Sequence, residues 1–184
     1  AAKKRICVKT EEAEMIKAVG LILMFLVCTA GGAFKSLDLS KRVRQLESFM
    51  GAITLISTEI RYFASPTDVI MGKIGALDEY KELRVFGLCR KNLDQYRDFP
   101  KAWEQSIEQS KPYLSLNDSD YETLLWFGKV LGTTDVEGET ANCERYKNLL
   151  GQRLQRARED QRKRGRMYTS LGVLAGVFIV VLLV

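Results

Sequence analysis

Two stretches free of charged residues, Ala18–Phe34 (AVGLILMFLVCTAGGAF) and Met167–Val184 (MYTSLGVLAGVFIVVLLV), stand at opposite ends of a 184-residue chain. A helix rises about 1.5 Å per residue and a hydrocarbon core is about 30 Å thick, so each stretch is just long enough to cross one. As core helices of one small domain they would leave much apolar surface without cover. The expected organisation is therefore two transmembrane helices, at 16–36 and 167–184, enclosing a region at 37–166 that faces water.

Charge gives this arrangement a direction. Lys35, Lys41, Arg42 and Arg44 follow the first stretch, and Arg153, Arg156, Arg158, Arg162, Lys163, Arg164 and Arg166 precede the second. Basic flanks stay on the cytoplasmic side, which puts the intervening region in the cytoplasm and both termini outside. Lys41, Arg42, Arg44, Arg162, Lys163, Arg164 and Arg166 are the expected membrane-flanking set, facing the lipid bilayer. Lys3, Lys4, Arg5 and Lys9 oppose that orientation from the outer side, and Glu11, Glu12 and Glu14 offset them only in part. A start at Met15 would remove them, so residues 1–14 are set aside as an extension, disordered or foreign to the fold. The rival reading takes KKR and the small residues CTAGGA as a cleavable signal peptide, leaving a C-terminally anchored extracellular binding domain. That rival places seven basic residues on the wrong side of the second span.

Between the spans the apolar residues recur at helical spacing and nothing alternates like a strand. Leu39, Val43, Leu46, Met50, Ile53 and Ile60 mark a first long helix. FASPTDV ends it and opens a second, with Ser65 as N-cap, Pro66 at the first position and Asp68 as the acid of a capping box. A third pattern runs through Tyr80, Leu83, Phe86, Leu88, Cys89 and Leu93. A fourth starts at Pro100 and stops at Lys111–Pro112; a fifth is capped near Asn117 or Ser119; the last runs from Asp135 into the charged stretch before the second span. The fold class expected is all-α: a cytoplasmic bundle of about six helices flanked by two transmembrane helices.

Several kinds of chemistry are excluded by composition. The chain has no histidine, which removes the usual general base and histidine metal sites. Cys7, Cys28, Cys89 and Cys143 form no C-x-x-C pair and read as small apolar fillers. QRLQRAREDQRKRGR lacks interleaved aromatics, so beside a span it reads as topogenic charge attracted to anionic lipid and not as a nucleic-acid site. The expectation is a protein that is not an enzyme and holds no cofactor and no metal.

WFGKVLGTTDVEGE, Trp126–Glu139, is the densest cluster of glycines and acids. It fails as a phosphate loop, because Gly128-Lys129 is followed by Val130 and no glycine lies five residues before Gly128. It fails as a metal loop, since alternate acids on a helix diverge and no EF-hand pattern is present. As a stop and restart it makes sense: Gly132 is placed as a left-handed C′ residue, Thr134 and Glu137 form a T-x-x-E capping box, and Asp135 favours the helix dipole. Gly128 and Gly138 fall inside helices, where glycine costs up to about 1 kcal/mol against alanine. They either permit close helix packing or leave a flat surface for another protein. Phe127, Gly128, Leu131, Gly132, Asp135, Glu137 and Gly138 are the candidate partner interface.

LSLNDSDYETLLWFGKVLGTTDVEGE, QLESFMGAITLISTEIRYFASPTDVI and RGRMYTSLGVLAGVFIVVLLV, in that combination and over Met15 to the C-terminus, resemble the stage III sporulation protein AB family of endospore-forming bacteria. Glu139 departs from the glutamine expected in the family's EGQ. The resemblance implies a component of the channel complex between mother cell and forespore, in the mother-cell membrane around the engulfed forespore. It also implies a cytoplasmic domain similar to that of type II secretion platform proteins. The implied partners are a stage III sporulation protein AA-like ATPase and the other membrane subunits of the channel.

Overall fold

The computed structural model describes the backbone of residues 2–183 and most side chains from Gly20 to Val181; those of residues 1–19 and of Leu21, Phe25, Cys28, Arg166, Thr169 and Val180 lie outside the described residues. It is all-helical, with no strand among the described residues. In chain order the helices are α1 (Ala2–Phe63), α2 (Thr67–Ala76), α3 (Val85–Tyr96), α4 (Phe99–Ser110), α5 (Asp118–Val130) and α6 (Val136–Leu183). Short 3₁₀ turns, Asp78–Leu83 and Lys111–Tyr113, link α2 to α3 and α4 to α5. The residues divide into two units, Ser40–Glu159 and Ala1–Leu39 with Asp160–Val184.

Ser40–Glu159 has a core built from the stripes that the periodicity marks. On α1, Leu46, Phe49, Ile53 and Ile56 recur every three or four residues and are fully buried, as are Ile70, Met71 and Ile74 on α2. Rings connect the remaining helices. Phe49 of α1 lies 6.0 Å from Phe86 of α3, which lies 5.8 Å from Trp103 of α4; Trp103 lies 5.9 Å from Phe127 of α5, and Phe127 lies 5.6 Å from Tyr146 of α6. Each such contact contributes about 0.5–1.5 kcal/mol beyond area burial.

Polar side chains inside this unit tie loops to helices. Arg42 is 8% exposed, and its guanidinium donates to both carboxylate oxygens of Asp120, at 2.8 and 3.2 Å. Asp120 also accepts from the Asn117 amide, while Asn117 Oδ1 accepts from the Asp120 amide; this capping box opens α5. Gln45 donates to the Tyr113 carbonyl and accepts from the Ser115 amide, holding the loop before α5 against α1.

Three local expectations are corrected. Ser65 is not the cap of α2: its amide bonds back to the Glu59 carbonyl and its hydroxyl donates to the Glu59 carboxylate, so it finishes α1, and Pro66 is the N-cap. The third helix is broken: Arg84 takes φ 59°, ψ −24°, and separates the 3₁₀ turn from α3. That break accompanies a close approach of α2 to α3, where a Cβ on Gly75 would stand 2.8 Å from the Gly87 nitrogen. Arg42 is not a membrane-flanking charge, because Asp120 engages it within the helical unit.

The other unit is built from the first part of α1 and the last part of α6, with apolar side chains facing outward. Ile22, Val27, Phe34, Leu174, Phe178 and Val181 are all largely exposed. The two helices approach through small residues: a Cβ on Gly32 would stand 2.5 Å from the Tyr168 carbonyl oxygen and 3.3 Å from Gly172 Cα. Backbones reach that separation only where side chains are absent. Among the described residues one helix segment, Ile22–Phe63 of α1, is long and apolar enough to cross a membrane, with mean hydropathy 1.5 over its most apolar 18 residues, none of them buried. The expectation of a second crossing rests on the sequence 167–184.

Candidate functional site

The α5–α6 turn is assembled from its own backbone requirements. Gly132 sits at φ 83°, the left-handed conformation that glycine adopts without penalty, and ends α5 as expected. Asp135 then opens α6: its Oδ1 accepts from the Gly138 amide at 2.9 Å and its carbonyl from the Glu139 amide. The T-x-x-E reading is thus displaced by one residue. Thr134 is not the cap, and Glu137 is an exposed side chain outside any capping box.

Glu139 takes the role that sequence reasoning missed. One carboxylate oxygen accepts both the Thr133 and Thr134 amides at 2.9 Å, closing the turn from beneath. The residue is 4% exposed, and its other oxygen is buried without a hydrogen-bond partner. The gathering of two N–H groups requires only an oxygen, which a glutamine amide supplies equally well. The signal was the departure from EGQ; what it lacked was the turn geometry that gives position 139 its task.

Gly128 and Gly138 have separate explanations. A Cβ on Gly128 would stand 2.0 Å from Trp103 Cδ1, and the indole N–H donates to the Leu124 carbonyl at 2.8 Å. Trp103 therefore brings its Cδ1–Nε1 edge against α5, and Gly128 is the residue that lets it. A Cβ on Gly138 would meet Thr134 Oγ1 at 2.4 Å, so this glycine makes room for the turn that precedes it.

The seven candidate interface residues divide accordingly. Phe127, Gly128 and Leu131 are buried in the unit and are spent on packing, which corrects their place on an outer surface. Gly132, Asp135 and Glu137 are exposed, with Gly138 half-buried beside them. The α1–α2 turn adjoins them, since Thr67 Oγ1 lies 3.6 Å from the place of a Gly132 Cβ. That neighbouring turn exposes Phe63 and Pro66.

Of the basic set, Lys41 is half-buried and Arg44 exposed; Arg162, Lys163 and Arg164 are exposed, with Arg164 3.2 Å from Asp160. The Arg166 side chain lies outside the described residues. Cys89 and Cys143 are buried thiols, each pushed up to about 12 chiefly by loss of solvent, which leaves them unreactive at neutral pH. Among the described residues no three of histidine, cysteine, aspartate and glutamate come together to hold a metal.

Known proteins share both the sequence and the fold. The family model for stage III sporulation protein AB matches residues 17–184. Stage III sporulation protein AB of Bacillus subtilis (strain 168) is 29% identical over 170 residues, spanning 92% of this chain and 99% of that protein. A solved structure of stage III sporulation protein AB, 26% identical, matches with a TM-score of 0.56 over 67% of this chain and 98% of its own.

Proposed function

Because this chain belongs to the stage III sporulation protein AB family, we propose that it is a non-enzymatic platform in the mother-cell membrane around the forespore, docking a stage III sporulation protein AA-like ATPase for the channel complex. The spans are 16–36 and 167–184, the helical region between them is cytoplasmic, and both termini lie outside. The observation that carries the reading is the exposed pair of turns. Gly132, Asp135 and Glu137 are exposed on the α5–α6 turn, Gly132 lies beside Thr67 of the α1–α2 turn, and that second turn exposes Phe63 and Pro66, so one turn offers acidic groups and its neighbour apolar ones. Support for the spans comes from the outward apolar faces of α1 and α6 and their close approach at Gly32. The platform transmits the assembly state of the ATPase to neighbouring channel subunits through rigid helices and contributes no reacting group of its own.

Co-purification of the full chain in detergent with the ATPase tests the docking. Glu137→Lys with Asp135→Asn, which keeps an oxygen to cap α6, is expected to abolish it while leaving the melting temperature nearly unchanged; retained binding would sink the proposed surface. For topology, Lys101→Cys in a Cys7→Ser, Cys28→Ser background introduces an exposed thiol, the two buried native thiols in this unit being unreactive. An impermeant maleimide should label it only after the cells are permeabilised, and labelling of intact cells would reverse the orientation.

A further inference from the structure

Trp126 has no part in the core or in the α5–α6 turn. It is 57% exposed, although its neighbour Phe127 is in the core, and it forms one wall of a groove of about 480 Å³ between α5 and α6. Glu122, Trp126 and Val130 recur every four residues along α5; Arg145, Leu149 and Arg153 do the same along α6, facing them. Thr123 and Tyr146, both nearly buried, form the floor.

Several surface cations of the unit are matched within a helical turn, as in Arg90–Asp94, Lys111–Glu108 and Lys147–Glu144. Arg145 and Arg153 have no acid three or four residues away in the sequence, and neither has an ion-pair partner among the described residues. Lys129 stands over the Trp126 ring, its Nζ 4.6 Å from the ring centre, and the two arginines of the lining face the single carboxylate of Glu122. The groove thus joins a broad apolar ring to arginines without counter-charges, the composition from which binding hot spots are made.

We propose that the α5–α6 groove is a docking site for an acidic amphipathic helix of a partner protein. Its apolar residues lie over Trp126 and Leu149, and its carboxylates meet Arg145 and Arg153, which eight helical residues hold about 12 Å apart, or roughly two turns of the incoming helix. The complementarity is with an acidic segment because the groove lining presents two arginines to one carboxylate. Neither Asp135 nor Glu137 takes part, so the site stands apart from the ATPase-docking turns and survives or fails independently of them.

The test uses the full chain in detergent and two labelled synthetic peptides of about 20 residues with the same leucine stripe, one filled out with glutamate and one with lysine. Anisotropy should show the glutamate peptide binding at least about tenfold more tightly than the lysine peptide, with Trp126 emission shifted to the blue. Arg145→Glu with Arg153→Glu should invert that preference. Trp126→Ala should weaken binding about tenfold with the melting temperature unchanged. No binding of the glutamate peptide, equal binding of the two, or a preference untouched by charge reversal would overturn the proposal. So would sedimentation showing that wild type self-associates and Trp126→Ala does not, which would assign the groove to a second copy of the chain.

Discussion

Ser40–Glu159 and the unit formed by the two ends of the chain both depend on glycine for close approach, but for opposite reasons. At Gly128 the visitor is the Trp103 indole, brought there by burial of apolar surface from water, and the glycine converts collapse into one defined seat with a hydrogen bond. At Gly32 the visitor is another helix's backbone, while the large apolar side chains around it face outward. In the first unit the apolar effect assembles the helices and glycine refines them. In the second, apolar faces are turned to the surroundings, so packing of small residues is what remains to hold the helices together.

The sharpest way to break this contrast is to fill each glycine. Gly128→Leu drives a side chain into a rigid ring and removes the indole bond, costing the Ser40–Glu159 unit about 4 kcal/mol or more, read from urea unfolding. Gly32→Leu should leave that unfolding curve in place and instead lower disulfide formation between Ser36→Cys and Gly165→Cys. A loss of stability at Gly32 as large as at Gly128 would show that the two glycines do one job. Asp120→Ala comes next, at about 3 kcal/mol, because it takes both bonded carboxylate oxygens from the buried Arg42 guanidinium and opens the α5 capping box; Asp120→Ala with Arg42→Met should recover only the part due to Arg42.

A smaller effect comes from pH. Burial raises the Cys89 and Cys143 thiols to about 12 from an ordinary 9.0, so above pH 9 the unfolded chain releases protons that the folded one keeps. Stability is fully present below pH 9 and falls as pH rises towards 12, by about 1 kcal/mol per thiol at pH 10. A Cys89→Val, Cys143→Val variant should lose that part of the slope in urea melts at pH 8 and pH 10. The smallest change is Glu139→Gln, which keeps an acceptor for Thr133 and Thr134 and removes a buried carboxylate oxygen without a partner. It should stabilise by about 0.5 kcal/mol, and a loss above about 1 kcal/mol would show that the unpartnered oxygen has a task.

Features set by a residue's immediate neighbours along the chain are legible in the sequence. Gly132, Asn117 and Lys111–Pro112 announce helix ends because φ preference, capping and the missing proline N–H act within a few residues. The stripe Leu46–Ile53–Ile56 follows from the helical period alone. What sequence reasoning misplaces depends on distant partners. Arg42 looks like a flanking charge until α5 brings Asp120 to it across 78 residues. Gly128 looks like a surface until α4 delivers Trp103, and Arg84 looks helical although a break there accompanies the approach of Gly75 to Gly87. At the candidate site the turn is legible and its division into packing and exposed residues is not, since that division is decided by what lies underneath.

The line of rings from Phe49 through Phe86, Trp103 and Phe127 to Tyr146 governs how the protein breathes. Each ring belongs to a different helix, so α1, α3, α4, α5 or α6 can detach only by uncovering a neighbour's aromatic surface. Within Ser40–Glu159 the slowest amide protons of those five helices should therefore exchange with deuterium through one shared opening.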